Sequence, residues 1–398
     1  MSFINFLRSP TFALYAVGAW MASFLVISGS QAHNNFSYLV LLIPTLISLR
    51  LEEIKSFFQN RLAQGLLLVI LSLILAATLG DGDPWRQVKF GLIVILFFIA
   101  VARLPMISNT TVYRAAWIFL GLLCLYVSGN AIWQYSQGYW QLGVRLNDMH
   151  AKLENVIYVT NTMGGMMAII TLLGIEQKKF REVLVAHALV LFFGLVLLQT
   201  RSIIGIWAVT VLMTYIALYK HQLRNIKVIS TMAVAAILLT SGIAYLLFFT
   251  SIGESLLARN FYRPEIWAGY IAETVRCGIT FGCGPEHDFQ YVSHDGFTMV
   301  HPHSVFVTQF YKAGLVGFIP LIALTILAAV QGYKARSWAG WYFIVGALGV
   351  CFDGSSLVHS PSQRWLVFHL PLALLIAQQL HPHAPALFKG NKQATRPN

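Results

Sequence analysis

Stretches of roughly 17 to 25 mostly apolar residues recur from one end of this chain to the other. That is the length an α-helix needs to cross the hydrocarbon core of a bilayer. A backbone in lipid must satisfy all its own hydrogen bonds, so such runs have few folds open to them. Only 11% of the 398 residues are charged, against about 25% in soluble domains. Membrane β-barrels show alternating segments of about ten residues instead. The pattern predicts an all-α polytopic membrane protein with about twelve transmembrane helices. They fall near 12–29, 36–50, 62–79, 87–103, 114–133, 155–174, 182–199, 202–219, 227–250, 304–331, 338–356 and 363–380. The second is short enough to be re-entrant. The first run follows Arg8, lacks a small-residue cleavage site and is interrupted by Trp20, so it reads as a retained span. Residues 1–398 form one transmembrane unit. A large loop, 251–303, is inserted between the ninth and tenth spans and is expected to carry short helices.

The net charge of +12 raises nucleic acid as a partner. The basic residues are scattered over short connectors rather than gathered in a patch, which argues against it. Placing the N-terminus in the cytoplasm puts most of the 27 Lys and Arg residues on the cytoplasmic side, as the positive-inside rule requires. Both termini are then cytoplasmic, and the 251–303 loop faces outward with the 134–154 loop, Arg201 and Arg364. Positive charges on that outer face are not needed for topology, which makes them informative. Of the four cysteines, Cys277 and Cys283 share the long loop. They could pair in an oxidising compartment or remain free thiols; their spacing resembles no zinc site.

Four outward residues stand out. Arg201 sits between two spans with almost no connector. A guanidinium at the membrane edge either snorkels to headgroups or binds an anion. Arg263 opens Arg-Pro-Glu-Ile-Trp, a first helical turn with Asn260 as a candidate cap. Ile266, Trp267 and Tyr270 make that helix amphipathic and suited to the membrane surface. His301 and His303 flank Pro302 where the chain re-enters the membrane. A neutral imidazole there is a candidate general base. Metal binding by His301 and His303 with His287, Asp288, His294 and Asp295 is the competing reading, but their spacing matches no zinc pattern. Gly314 and Gly317 would admit a close neighbouring helix. Lys312, within the same span, must pair, snorkel or face a polar cavity.

Asp81-Gly82-Asp83 superficially matches a metal–nucleotide-sugar motif, but turn chemistry before Pro84 explains it. No P-loop, dinucleotide fingerprint or serine elbow is present. Arginines match diphosphate oxygens bidentately, and histidine can take a proton from a hydroxyl. Together they suit displacement of a lipid-linked diphosphate by an alcohol. That bond is already activated, so no cofactor is called for. Because arginines can neutralise the leaving group, no metal is called for either.

These motifs, in this order and topology, resemble those of the bacterial O-antigen ligase family, within the wider group of O-antigen polymerases and protein O-oligosaccharyltransferases. The resemblance rests on Arg201-Ser202 with Gly205 and Trp207, and on Arg263 with Ile266-Trp267. It rests also on Gly282-x-Gly284, and on His303-Ser304 followed nine residues later by Gly314 and then Gly317. Ser304 stands where related enzymes often carry Asn. The resemblance implies an inner-membrane glycosyltransferase of lipopolysaccharide biosynthesis, active at the periplasmic face. Its donor would be O-antigen on undecaprenyl diphosphate and its acceptor lipid A–core. His303, Arg263 and Arg201 would be catalytic, acting by inversion. His301, Lys312 and Arg145 would bind substrate, Arg145 through acceptor phosphates. An O-antigen polymerase using the same donor is the nearest alternative. A protein O-oligosaccharyltransferase is disfavoured by the absence of a C-terminal soluble part. An anion transporter using Arg201 and Lys312 is the alternative from another class, though no repeated halves are visible.

Overall fold

A computed structural model describes residues 3–104, 107–146, 149–219, 241–242, 245, 249–250, 262–293, 296 and 298–380. The ninth expected span, 227–250, lies almost wholly outside the described residues. So do 251–261, including Asn260, and His294 and Asp295.

The chain is almost entirely helical. At the N-terminal end come α1 (Phe3–Leu7), α2 (Pro10–Val26), α3 (Ser30–Ser37), α4 (Ile43–Ser48) and α5 (Leu51–Gln59), of which α1 and α3 pack on α2. The long apolar helices follow: α6 (Arg61–Leu79), α7 (Pro84–Ala102), α8 (Asn109–Ser136), α9 (Val156–Glu176) and α10 (Phe180–Phe192), which a π turn extends to Leu197. Then come α11 (Ser202–Tyr219), α12 (Arg263–Cys277), α13 (Val305–Lys334), α14 (Trp338–Cys351) and α15 (Leu370–Leu380). Among the described residues, six helices are long and apolar enough to cross a membrane: α6, α7, α8, α9, α10 with its π turn, and α13. Four shorter apolar helices join them: Pro10–Val26, Ser202–Ala217, Trp338–Cys351 and Trp365–Leu380. The expected second span is divided into α3, a π turn over Tyr38–Leu42, and α4.

Polar residues in the connectors start these helices. Ser9, Asn60, Asp83, Ser108, Asn155, Ser304 and Ser337 each accept a backbone N–H of the first turn, the role in which such side chains are favoured. Asp83 therefore caps α7, and the Asp81–Asp83 motif is a turn. Arg8 donates to the Ser48 carbonyl, while Arg103 donates to the Ser48 hydroxyl and to both carboxylate oxygens of Glu53. Charges expected on one membrane side thus meet at one end of the bundle.

The centre of the bundle is α9, buried along nearly its whole length between α8, α10, α11 and α14. Gly165 makes this possible, since a Cβ there would lie 2.1 Å from the Tyr342 ring. The second organising feature is the break in α13 at Gly314 (φ 56°, ψ −154°). Into it runs the segment 278–284, a turn closed by the Gly282 amide on the Gly278 carbonyl at 2.8 Å. Leu315 and Val316 donate to the carbonyls of Ile279 and Thr280, at 2.9 and 3.1 Å. Cys283 and Gly284 donate in turn to Tyr311 and Lys312, at 2.9 and 3.1 Å. The backbone groups freed by the break are paired again, as an apolar setting demands. A Cβ on Gly282 (φ +71°) would lie 2.6 Å from the Gly314 nitrogen. The close neighbour at Gly314 is therefore a loop segment rather than a helix. Gly317, by contrast, faces Ser72 of α6.

A disulfide joins Cys277, at the end of α12, to Cys283, and so ties that helix to the inserted segment. Ile266 and Tyr270 bury with Cys283 and Tyr311 in a satellite core. Trp267 donates to the Pro302 carbonyl at 2.9 Å and stacks on Phe352. The apolar stripe of α12 thus packs on protein. A two-stranded ribbon, β1 (Tyr291–Val292) and β2 (Thr298–Met299), completes this region with Tyr291 opposite Met299.

Candidate active site

Arg145, Arg201, Arg263 and His303 line one cavity of ≈ 560 Å³. Gln199, Ser202, Tyr262 and Phe352 share its wall. Four residues expected from sequence to act together, and drawn from four separate segments, therefore converge. His301 does not line this cavity, but its ring meets that of His303 edge to face at 4.1 Å. Lys312 lines a different cavity.

Each residue is placed by local structure. Arg201 lies in the tight turn between the π turn of α10 and the start of α11. Thr200 fixes that turn through its amide to the Gly194 carbonyl and its hydroxyl to Thr160, both at 2.9 Å. The loop bearing Arg145 is pinned alongside: Gln199 donates to the Gly143 carbonyl at 2.8 Å and Leu146 to the Leu197 carbonyl at 3.0 Å. Arg263 is the first residue of α12, just before Pro264. His303 sits between Pro302 and Ser304, the residue that caps α13. Gln199 and His303 have positive φ, 43° and 50°. Such values are unfavourable for side chains of this kind and concentrate at functional sites.

A carboxylate that the sequence does not single out, Asp353, meets His303 at this site. It is 3% exposed, and its Oδ1 accepts from His303 Nδ1 at 3.1 Å. Its Oδ2 accepts from Asn155 at 3.2 Å. Burial alone would push this carboxyl up. The hydrogen bond and charge of His303, the Gly354 amide and the Arg263 guanidinium outweigh burial and hold it below the usual carboxylate range. In the neutral form of the His303 ring, an ionised Asp353 keeps the proton on Nδ1, the nitrogen it accepts from. Nε2 is then the atom with a free lone pair.

Burial lowers the pKa of Arg263 from its ordinary value; Asp353 opposes this and Arg201 adds to it. Guanidinium groups nonetheless remain charged in proteins. Two arginines close enough to repel, with a third on the same wall, make the cavity strongly attractive to an anion. Burial, and then the neighbouring His303, pushes His301 down, so it is neutral at pH 7. The site can thus bind a multiply charged anion and accept a proton beside it.

One group of potential metal donors occurs among the described residues: Glu273, Cys277, Cys283 and His287. Its sulfurs form the disulfide, while Glu273 bonds Arg276 at 2.6 Å and His287 at 3.1 Å. None of the four lines the cavity.

The helices and the arginine-bearing cavity define the class: a multi-pass helical membrane protein with a cationic, histidine-bearing site. No family model matches the chain. It is similar to an O-antigen ligase of Pseudomonas aeruginosa, 22% identical over 390 residues that cover 93% of this chain and 92% of that one. The likeness to the O-antigen ligase family read from the motifs therefore extends along nearly the whole chain.

Proposed function

We propose that this chain is an O-antigen ligase. It transfers O-antigen polysaccharide from undecaprenyl diphosphate to lipid A–core and so completes lipopolysaccharide. The observation that carries the reading is the meeting of Arg201, Arg263 and the His303–Asp353 pair at one cavity. The similarity to an O-antigen ligase supports it. In this reading the protein lies in the bacterial inner membrane with both termini cytoplasmic. The inserted loop 251–303 and the cavity face the periplasm.

His303 Nε2 takes the proton of an acceptor sugar hydroxyl. The oxygen attacks the anomeric carbon of the donor, and the bond from that carbon to the diphosphate breaks. Its electron pair leaves with the diphosphate. Arg201 and Arg263 are placed before the reaction to stabilise the charge that develops there. One displacement inverts the anomeric centre. Asp353 acts through His303 as a positioning residue. It holds the imidazole in the basic tautomer and favours the imidazolium once formed, the part an acid plays behind a histidine in hydrolase triads. Arg145 contacts acceptor phosphate and His301 supports the acceptor. Charge neutralisation by arginine leaves no step that needs a metal.

The test is reconstitution of purified protein with lipid-linked O-antigen and lipid A–core. Glycan on lipid A–core, insensitive to chelator, is the expected product. Lengthening of the glycan on undecaprenyl diphosphate, without transfer to lipid A–core, would identify a polymerase. Uptake of an anion without either product would identify a transporter.

A further inference from the structure

A second cavity, of ≈ 410 Å³, shares no lining residue with the first. Arg86 at the start of α7, Glu286, Lys312 of α13, Ser356 and His359 line it. Its walls thus come from the segment that follows the Cys277–Cys283 disulfide and from the loop after α14. That loop also carries Phe352 and Asp353, so one connector forms part of both sites.

The charges of this second cavity do not balance. Its one lining carboxylate, Glu286, is already paired with Arg86 at 3.0 Å. The half-buried Lys312 ammonium makes no hydrogen bond or ion pair among the described residues. An ammonium on an apolar helix is costly unless it meets an anion or water. His359 stacks on Phe90 at 4.7 Å, and its Nδ1 shares a hydrogen with the Ser360 hydroxyl at 2.8 Å. Burial, followed by the charges of Arg364, Lys312 and Arg86, drives its pKa to about 4. Three cations therefore act on one neutral imidazole. The donors left over are those of Lys312 and the N–H groups of Arg86 that Glu286 does not take, since the Ser356 hydroxyl already donates to the Val358 carbonyl at 3.3 Å. This is an arrangement suited to a compact oxyanion at the membrane edge.

We propose that this cavity is a second anion site that takes a lipid-borne phosphate group through Lys312 and Arg86. Lys312 lies seven residues into α13, about 10 Å from its start at 1.5 Å per residue, and His303 stands two residues before that start. An amphiphile anchored there by its phosphate can extend a sugar hydroxyl toward Nε2. Two lipids carry this chemistry: a phosphorylated glycolipid acceptor and a bilayer glycerophospholipid. Only the first source rests on the ligase reading.

The experiment is native mass spectrometry of the full-length protein, released from detergent after incubation with one lipid at a time. The probes are a bisphosphorylated glucosamine disaccharide lipid, phosphatidylglycerol and uncharged diacylglycerol. Retention of either phosphate lipid over diacylglycerol is expected, and the preferred one identifies the source. Lys312→Gln should cut that retention by about tenfold, the effect of one charge-assisted contact. Arg86→Gln, on the exposed rim where folding is not at stake, should lower it in the same direction. Equal retention of diacylglycerol, or retention within about twofold of wild type in both variants, overturns the proposal. Binding does not depend on turnover. A protein that fails to transfer glycan yet retains lipid phosphate through Lys312 would remove the ligase reading and leave this site standing.

Discussion

Asp353 and His303 come from opposite ends of the α13–α14 pair and meet at 3.1 Å, Oδ1 to Nδ1. The contact decides which ring nitrogen can act as a base. Asp353→Asn should keep the fold and the cavity but offer Nδ1 either a donor or an acceptor, so the tautomer is no longer fixed. Glycan transfer should fall by about 10²–10⁴-fold, mostly in kcat, as when the acid behind a catalytic histidine is neutralised. Steady-state transfer kinetics check this. Wild-type kcat would remove Asp353 from the mechanism.

The same pair carries a pH signature. The Asp353 carboxyl lies below its ordinary value in the folded protein. Its contribution to stability is therefore fully present above an unfolded pKa of about 3.9 and is lost as pH falls through the folded one. Thermal unfolding in detergent between pH 7 and pH 4.5 should show no loss attributable to this group. His303→Ala should unfold at lower temperature across that range, since it strands a buried carboxylate.

Arg201→Lys and Arg263→Lys retain charge but lose the planar fork. If both arginines grip a diphosphate bidentately, each variant should lose about tenfold or more in kcat/KM for the lipid-linked donor. Arg145→Lys should act on the acceptor KM instead. A donor-concentration series and an acceptor-concentration series separate the two.

Gly282→Ala meets two penalties: φ of +71° and a Cβ 2.6 Å from the Gly314 nitrogen. We expect a loss of about 1–3 kcal/mol, read as a lowered unfolding temperature. Gly121→Ala, where a Cβ would meet nothing within 4 Å, is the control.

The Cys277–Cys283 bond closes a short loop that holds α12 against the inserted segment. Chain entropy assigns such a loop about 2 kcal/mol. The Cys277→Ser/Cys283→Ser double variant should unfold earlier by that amount. In the wild type, a maleimide probe should label these two cysteines only after reduction.

Apolar periodicity carries most of what the sequence makes legible. The runs around α6, α7, α8, α9, α10 and α13 each correspond to a helix, because a long apolar helix has no alternative in lipid. Arg201 and Arg263 are legible because, on the topology expected from the sequence, they break the charge rule without need. Lys312 is legible as a charge requiring an explanation, though not as part of a separate cavity. The inserted segment 278–284 is legible only through the Gly282-x-Gly284 pair, not in its pairing with α13. Its partners are backbone amides and carbonyls of α13, and backbone pairing leaves little trace in side-chain identity. Asp353 escapes notice for another reason. The expected span 338–356 runs through it, whereas the helix stops at Cys351. An acid inside an expected span is itself the signal that could have found it.

The positive φ of His303 has a consequence for evolution and engineering. Holding a histidine at φ 50° costs about 1–2 kcal/mol that an asparagine, at ease in that conformation, largely avoids. His303→Asn could still donate an amide to Asp353. On the ligase reading, selection for sturdiness alone would therefore drift toward a tougher, inert molecule, and only selection for turnover would keep the imidazole in place.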